Sequence, residues 1–90
     1  MSESAADKLL RFPCRFPIKM MGRADEAFNN TAVGLVERHV GKVATDAIQT
    51  SASRNGNFLS VTVTIDAKSQ EQLDSIYNDL SNHKDILVAL

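Results

Sequence analysis

A single cysteine, Cys14, stands in the sequence. One thiol excludes an internal disulfide, a zinc knuckle built on paired sulfurs and a Cys-x-x-Cys metal-carrier loop. A lone thiol with no disulfide suits a reducing cytoplasm. Histidine is almost as scarce. His39 and His83 lie far apart, with no acidic or cysteine neighbour at metal-ligand spacing. No metal and no other cofactor is expected. Long apolar runs are missing too, and nothing approaches the roughly 18 residues that cross a bilayer. The opening residues 1–8, MSESAADK, lack a basic stretch followed by an apolar one, so no signal peptide is expected. The expected location is the cytoplasm. Excess charge of one sign is also lacking, with a net charge of −1 at pH 7. Phosphate contacts need a clustered basic surface and membrane anchors need a polybasic run. Nucleic acid and membrane are therefore not expected as partners.

What is present is an ordinary folded domain. Apolar residues make up 43% and charged residues 23% of the chain. Ninety residues form one core and bury roughly 60–65% of the surface that the unfolded chain exposes. A second copy would add burial, so a homodimer is an expected assembly. Residues 1–11 are small, polar and charged, and read as a flexible tail before a domain over 12–90.

Periodicity sets the element order. In Arg15–Met21, Phe16, Ile18 and Met20 share one face of a strand, and Gly22 is expected to end it at a turn. Pro13 and Pro17 remove two backbone donors near its start. A helix is expected over 25–40, with Phe28, Ala32, Leu35 and Val36 on its apolar face. Asp25 and Glu26 would occupy its first turn, Arg38 and His39 its last, and Gly41 its stop. Gly34, in its middle, predicts close packing on a sheet. A second strand over 44–54 alternates only in part, with Ile48 its one large apolar residue. Asn55-Gly56 predicts a type I′ hairpin turn. Phe58–Asp66 alternates cleanly, with Leu59, Val61, Val63 and Ile65 on one side and Ser60, Thr62 and Thr64 on the other. Ser69 and Gln72 form a capping box for a second helix striped by Leu73, Ile76, Tyr77 and Leu80. Ile86–Leu90, apolar on both faces, closes the domain as a strand covered on each side. The order β-α-β-β-α-β predicts an α+β, two-layer sandwich: a four-stranded antiparallel sheet with both helices on one face, and the first and third strands central.

A string of residues then becomes familiar. Phe12-Pro13 precedes the first strand, Lys19-Met-Met-Gly22 ends it, and Arg38-His39 closes the first helix. Residues 53–64 contain NGNFLSVTV, and Tyr77 lies in the second helix. This resembles the YbeD-like family of small bacterial proteins over about residues 10–90. The resemblance implies a ferredoxin-like fold similar to ACT domains, which sense amino acids and other small molecules in regulated enzymes. Fold analogy is a poor guide to chemistry.

The resemblance directs attention to the turn Met21-Gly22-Arg23-Ala24-Asp25. In ACT-like domains this turn approaches the effector, so Gly22, Arg23 and Asp25 become the candidate ligand-binding residues, with Arg23 supplying a charge-assisted bond. The plainer reading is that Gly22 merely permits the turn. The sheet face away from the helices should carry Lys19, Ser60, Thr62 and Thr64, with Phe58 a further candidate. An RNA-binding domain of this topology would place stacking aromatics there, and serine and threonine stand instead. With the second-strand edge at Ile48, those residues form the candidate partner surface, because open edges invite pairing. Cys14 would be a reactive thiol only with its pKa lowered by neighbours, for which Arg11 and Arg15 are near in sequence. No catalytic set is evident. An acylphosphatase-type enzyme would need an anion-cradling loop with an arginine and a water-positioning asparagine, and nothing in the sequence brings those together. The reading favoured is a small cytosolic regulatory module that senses a small-molecule effector. The alternative is an adaptor that takes no ligand and binds a larger enzyme through the sheet face or the second-strand edge.

Overall fold

The computed structural model describes residues 11–90. The tail expected over residues 1–11 therefore lies almost wholly outside the described residues. Four strands form one sheet in the order β2-β3-β1-β4. They are β1 (Cys14–Arg23), β2 (Ile48–Ala52), β3 (Phe58–Ala67) and β4 (Val88–Ala89), with helices α1 (Phe28–Val40) and α2 (Gln70–Ser81). All pairings are antiparallel. β1 and β3 lie at the centre and run side by side over their full length, from Cys14 opposite Ala67 to Arg23 opposite Phe58.

Alternation along the two central strands builds the core. Ile18 and Met20 of β1 and Val61, Val63 and Ile65 of β3 face inward and are buried. Phe28, Ala32, Leu35 and Val36 of α1 cover them, with Leu73, Ile76 and Leu80 of α2. No charged or polar side chain is buried among the described residues. Such a core is held by apolar area alone, at about 25 cal/mol per Å² removed from water.

The caps follow the chemistry of their residues. Ser69 Oγ accepts from Gln72 N–H at 3.0 Å, while Gln72 Oε1 accepts from Lys68 N–H at 2.8 Å. The reciprocal bond thus reaches one residue before the cap. Gly41, at φ 81°, ends α1 as expected. The start of α1 differs from expectation. Asp25 and Glu26 precede the helix, and Asp25 folds back so that Oδ1 accepts from Ala27 N–H at 2.8 Å. Asp25 O also accepts from Phe28 N–H at 2.9 Å, so a turn over residues 25–28 leads into the helix.

Four other expectations are corrected. The second strand is shorter, because Thr45–Ala47 closes as a 3-10 turn through Ala47 N–H to Ala44 O at 3.0 Å. The Asn55-Gly56 hairpin exists, but only Gly56 has positive φ (77°), so its turn is not type I′. Instead, Gly56 N–H donates to Ser53 O, and Asn55 Oδ1 accepts from Ser53 Oγ and Asn57 N–H. β4 is two residues long, extended by the mutual backbone bonds of Lys19 and Leu90. It is incompletely covered, with Val88 and Leu90 exposed on the open face of the sheet and Leu87 exposed on the helix side. Finally, a Cβ on Gly34 would meet nothing within 4 Å, so no close packing demands glycine there. Gly34→Ala should therefore raise stability by about 0.5–1 kcal/mol through helix propensity and a less mobile unfolded chain. For a domain this small, that is roughly 4–8 °C in Tm per kcal/mol by calorimetry. A fall in Tm would count against the open space at this site.

Proline in a central strand has a local explanation. Lys19 N–H donates to Leu90 O, toward β4. Two residues earlier, the nitrogen of Pro17 points the same way. β4 pairs only with Met20 and Met21, apart from the Lys19–Leu90 bonds, and does not reach Pro17. The missing N–H costs no ladder bond.

Candidate functional site

The cleft lies where the end of β1 meets the loop before β4. Gly22 is not a turn residue. It is a buried strand residue opposite Leu59, and its φ is not positive. Its requirement for glycine is steric. An added Cβ would fall 2.2 Å from Phe28 Cε1 and 2.5 Å from the Asp85 carbonyl oxygen. The absent side chain lets the α1 ring and the α2–β4 loop both close onto β1.

That approach creates a cleft of about 230 Å³ lined by Arg23, Asp25, Ala27, Phe28, Thr31, Lys84, Asp85 and Leu87. Of the three expected ligand residues, Arg23 and Asp25 line it, and Gly22 lies beneath as the point of closest packing. Lys84 and Asp85 come from the far end of the sequence and pair with each other at 3.3 Å. Sequence reasoning missed both. Asp85 N–H also donates to His83 Nδ1 at 3.1 Å, which orders the loop. The cleft thus holds two cations and two carboxylates around an apolar floor of Phe28 and Leu87.

The sheet face opposite the helices carries Lys19, Ser60, Thr62 and Thr64, as alternation predicts. Lys19, Thr62 and Gln49 form one cross-strand row; Val88, Met21, Ser60 and Ser51 form the next. Ile48 does not join them. It stands opposite Val63 and is half-buried against the core, because β2 turns its even residues toward the helices. Thr50, on the same side, donates from Oγ1 to Asn29 Oδ1 of α1 at 2.9 Å. The remaining outward residues of β2 are polar, so the apolar edge is β4.

The histidines take structural positions. His39 Nε2 lies 2.6 Å from Asp79 Oδ2 and joins α1 to α2. Cys14 is half-buried at the edge of the core. Among the described residues, no three His, Cys, Asp or Glu side chains converge in a way that could hold a metal ion, and no helix is long and apolar enough to cross a membrane.

Tyr77 secures the last strand. Its hydroxyl donates to Leu90 O at 2.8 Å, and its ring meets Phe16 edge-on at 6.5 Å. Burial raises the phenol pKa above its usual 10.0. The fold therefore favours the neutral phenol. Its contribution is complete below about pH 10 and is lost as pH rises through the higher folded value. In alkaline urea titrations, Tyr77→Phe should lose stability less steeply than the parent, after a cost of about 1 kcal/mol at neutral pH for the missing bond. Parallel alkaline slopes would refute the assignment.

A family model described as "Protein of unknown function (DUF493)" matches residues 7–90. A UPF0250 protein of Paraburkholderia phytofirmans is 40% identical over 87 residues, covering 97% of this chain and 98% of its own. The UPF0250 protein NE1487 of Nitrosomonas europaea is 36% identical over 84 residues, covering 93% and 97% respectively. The solution structure of HP0495 from H. pylori superposes with a TM-score of 0.71 at 15% identity, over 100% of this chain and 98% of that one. At that identity, the likeness bears on the fold alone, which is the ferredoxin-like α+β sandwich. With a family model spanning nearly its whole length and bacterial relatives matched almost end to end, the chain belongs to the DUF493 family of small bacterial proteins, the UPF0250 or YbeD-like proteins.

Proposed function

We propose that the protein is a regulatory module that binds a small zwitterionic metabolite of amino-acid size in the cleft between the end of β1 and the α2–β4 loop. The observation that carries this reading is the composition of the cleft wall. Arg23 and Asp25 approach from one side, Lys84 and Asp85 from the other, over Phe28 and Leu87. Arg23 would take a carboxylate through paired N–H donors. Asp25 and Asp85 would flank an ammonium group. A volume of about 230 Å³ falls below the roughly 300–1,000 Å³ of drug-sized sites, which restricts the occupant to a small molecule. The cleft joins two segments distant in sequence, so a bound ligand would tie the loop before β4 to β1. Occupancy would then be transmitted to the edge strand.

The test is a thermal-shift screen of the full chain against amino acids and small amino-acid-like metabolites. A ligand at 100 times its Kd should add about 2.7 kcal/mol, and Arg23→Ala should abolish the shift while leaving the unliganded Tm in place. Absence of stabilisation by any zwitterion would refute the reading.

A further inference from the structure

Charge is segregated in this nearly neutral chain. α2 carries Glu71, Asp74 and Asp79 and no lysine or arginine. The open face of the sheet is the reverse. Arg15, Lys19 and Arg23 project from it along β1, and its one acid, Asp66, stands opposite Arg15 and pairs with it at 3.7 Å. Among the described residues, Lys19 and Arg23 have no acid beside them on that face; they lie about 13 Å apart at four residues' rise.

Between these two cations lies an apolar strip. Met21 stands opposite Val88, and Leu90 bonds to Lys19 through both backbone groups. Alternation therefore puts Met21, Val88 and Leu90 on the same side as Lys19. Val88 and Leu90 are 43% and 66% exposed, high for large apolar side chains that neighbour one another. Beside the strip runs a trough of about 360 Å³, its floor made of small hydroxyl side chains from β2 and β3, Ser51, Ser60 and Thr62 among them.

We infer that this face docks an acidic segment of another protein, one carrying two or three apolar side chains. The apolar anchors would rest on Met21, Val88 and Leu90, and the segment's carboxylates would meet Lys19 and Arg23. Charge complementarity selects the partner's sign and apolar burial supplies its retention. Nucleic acid fits poorly, because two cations release few counterions and a single ring, Phe58, stands on this face, with serine and threonine at the other positions where stacking rings would be needed. An anionic membrane fits poorly, since such surfaces recruit clusters of roughly four to eight basic residues. A second copy would have to offer acidic α2 to this face, a head-to-tail contact that builds rings or filaments rather than a two-fold dimer. Arg23 also lines the small-molecule cleft, whereas Lys19 lies outside it, so the test rests on Lys19.

The experiment places a photo-crosslinking amino acid at Ser60, or at Glu71 of α2 as control, in the full chain produced in bacterial cells. Adducts are identified by mass spectrometry. The expected result is adducts at position 60 to protein segments of net negative charge. Lys19→Glu should lower their yield at least five-fold, and Lys19→Gln by less, with both variants keeping the parent Tm. The inference is overturned by any of four results: adducts no more abundant than at position 71; adducts to basic segments, nucleic acid or lipid; adducts to the chain itself; or a yield that charge reversal at Lys19 leaves unchanged.

Discussion

Gly22→Ala should destabilise the domain by about 3 kcal/mol or more, at the upper end of what overpacking costs. The reason is the nature of the two obstacles. A Cβ at this position would lie 2.2 Å from an edge carbon of Phe28 and 2.5 Å from the carbonyl oxygen of Asp85. A surface side chain could swing away at little cost. A buried ring and a backbone carbonyl cannot, so the α2–β4 loop or the strand itself must move. A domain of this size has roughly 5–13 kcal/mol of stability in total, so the variant sits close to the threshold of folding. Urea unfolding followed by circular dichroism measures the effect as a lower midpoint at constant slope. A midpoint within experimental scatter of the parent would show that glycine is dispensable there.

Phe28→Ala should cost about 3–5 kcal/mol, the usual range for emptying a buried aromatic site. Phe28 is 3% exposed. It opens α1 and also floors the cleft, so its loss both cavitates the core and removes a wall of the proposed ligand site. The two substitutions should not add. With the ring gone, one of the two contacts that oppose a Cβ on Gly22 disappears, while the Asp85 carbonyl remains. The double variant should therefore be less destabilised than the sum of the singles, by about 1 kcal/mol. Strict additivity would mean that the ring and the glycine do not meet.

These residues also mark the boundary of what the sequence reveals. Where a local pattern decides structure, the reading was sufficient. The alternation from Phe58 onward fixes β3 and its two faces, and Ser69 with Gln72 fixes the start of α2. The ends of β1 fared differently. Glycine at position 22 suggests a turn by composition, yet its cause is a ring six residues later and a carbonyl over sixty residues later. Gly34 misled in the opposite sense, because no neighbour comes near it. The same limit applies to the cleft. Arg23 and Asp25 were visible because they flank a glycine at a strand end. Lys84 and Asp85 join them only through the return of the chain after α2. Net charge concealed the opposed acidic helix and basic sheet face, since a sum over the chain carries no information about layers. Ile48 was assigned to the surface by its edge strand, whereas the phase of β2 turns it to the core.

The shortness of β4 has a consequence for solubility. Among the described residues, β4 runs beside β1 no further than Lys19, so no described strand pairs with the early part of β1 on that side, although β1 is central in the sheet. A bare strand flank is a template on which a stray extended chain can add and propagate. Here the flank is a poor template. Pro17 offers no N–H to an incoming strand. The proline that looked like a blemish in a central strand thus acts as a gatekeeper, allowing the sheet to end unevenly without becoming a seed for aggregation.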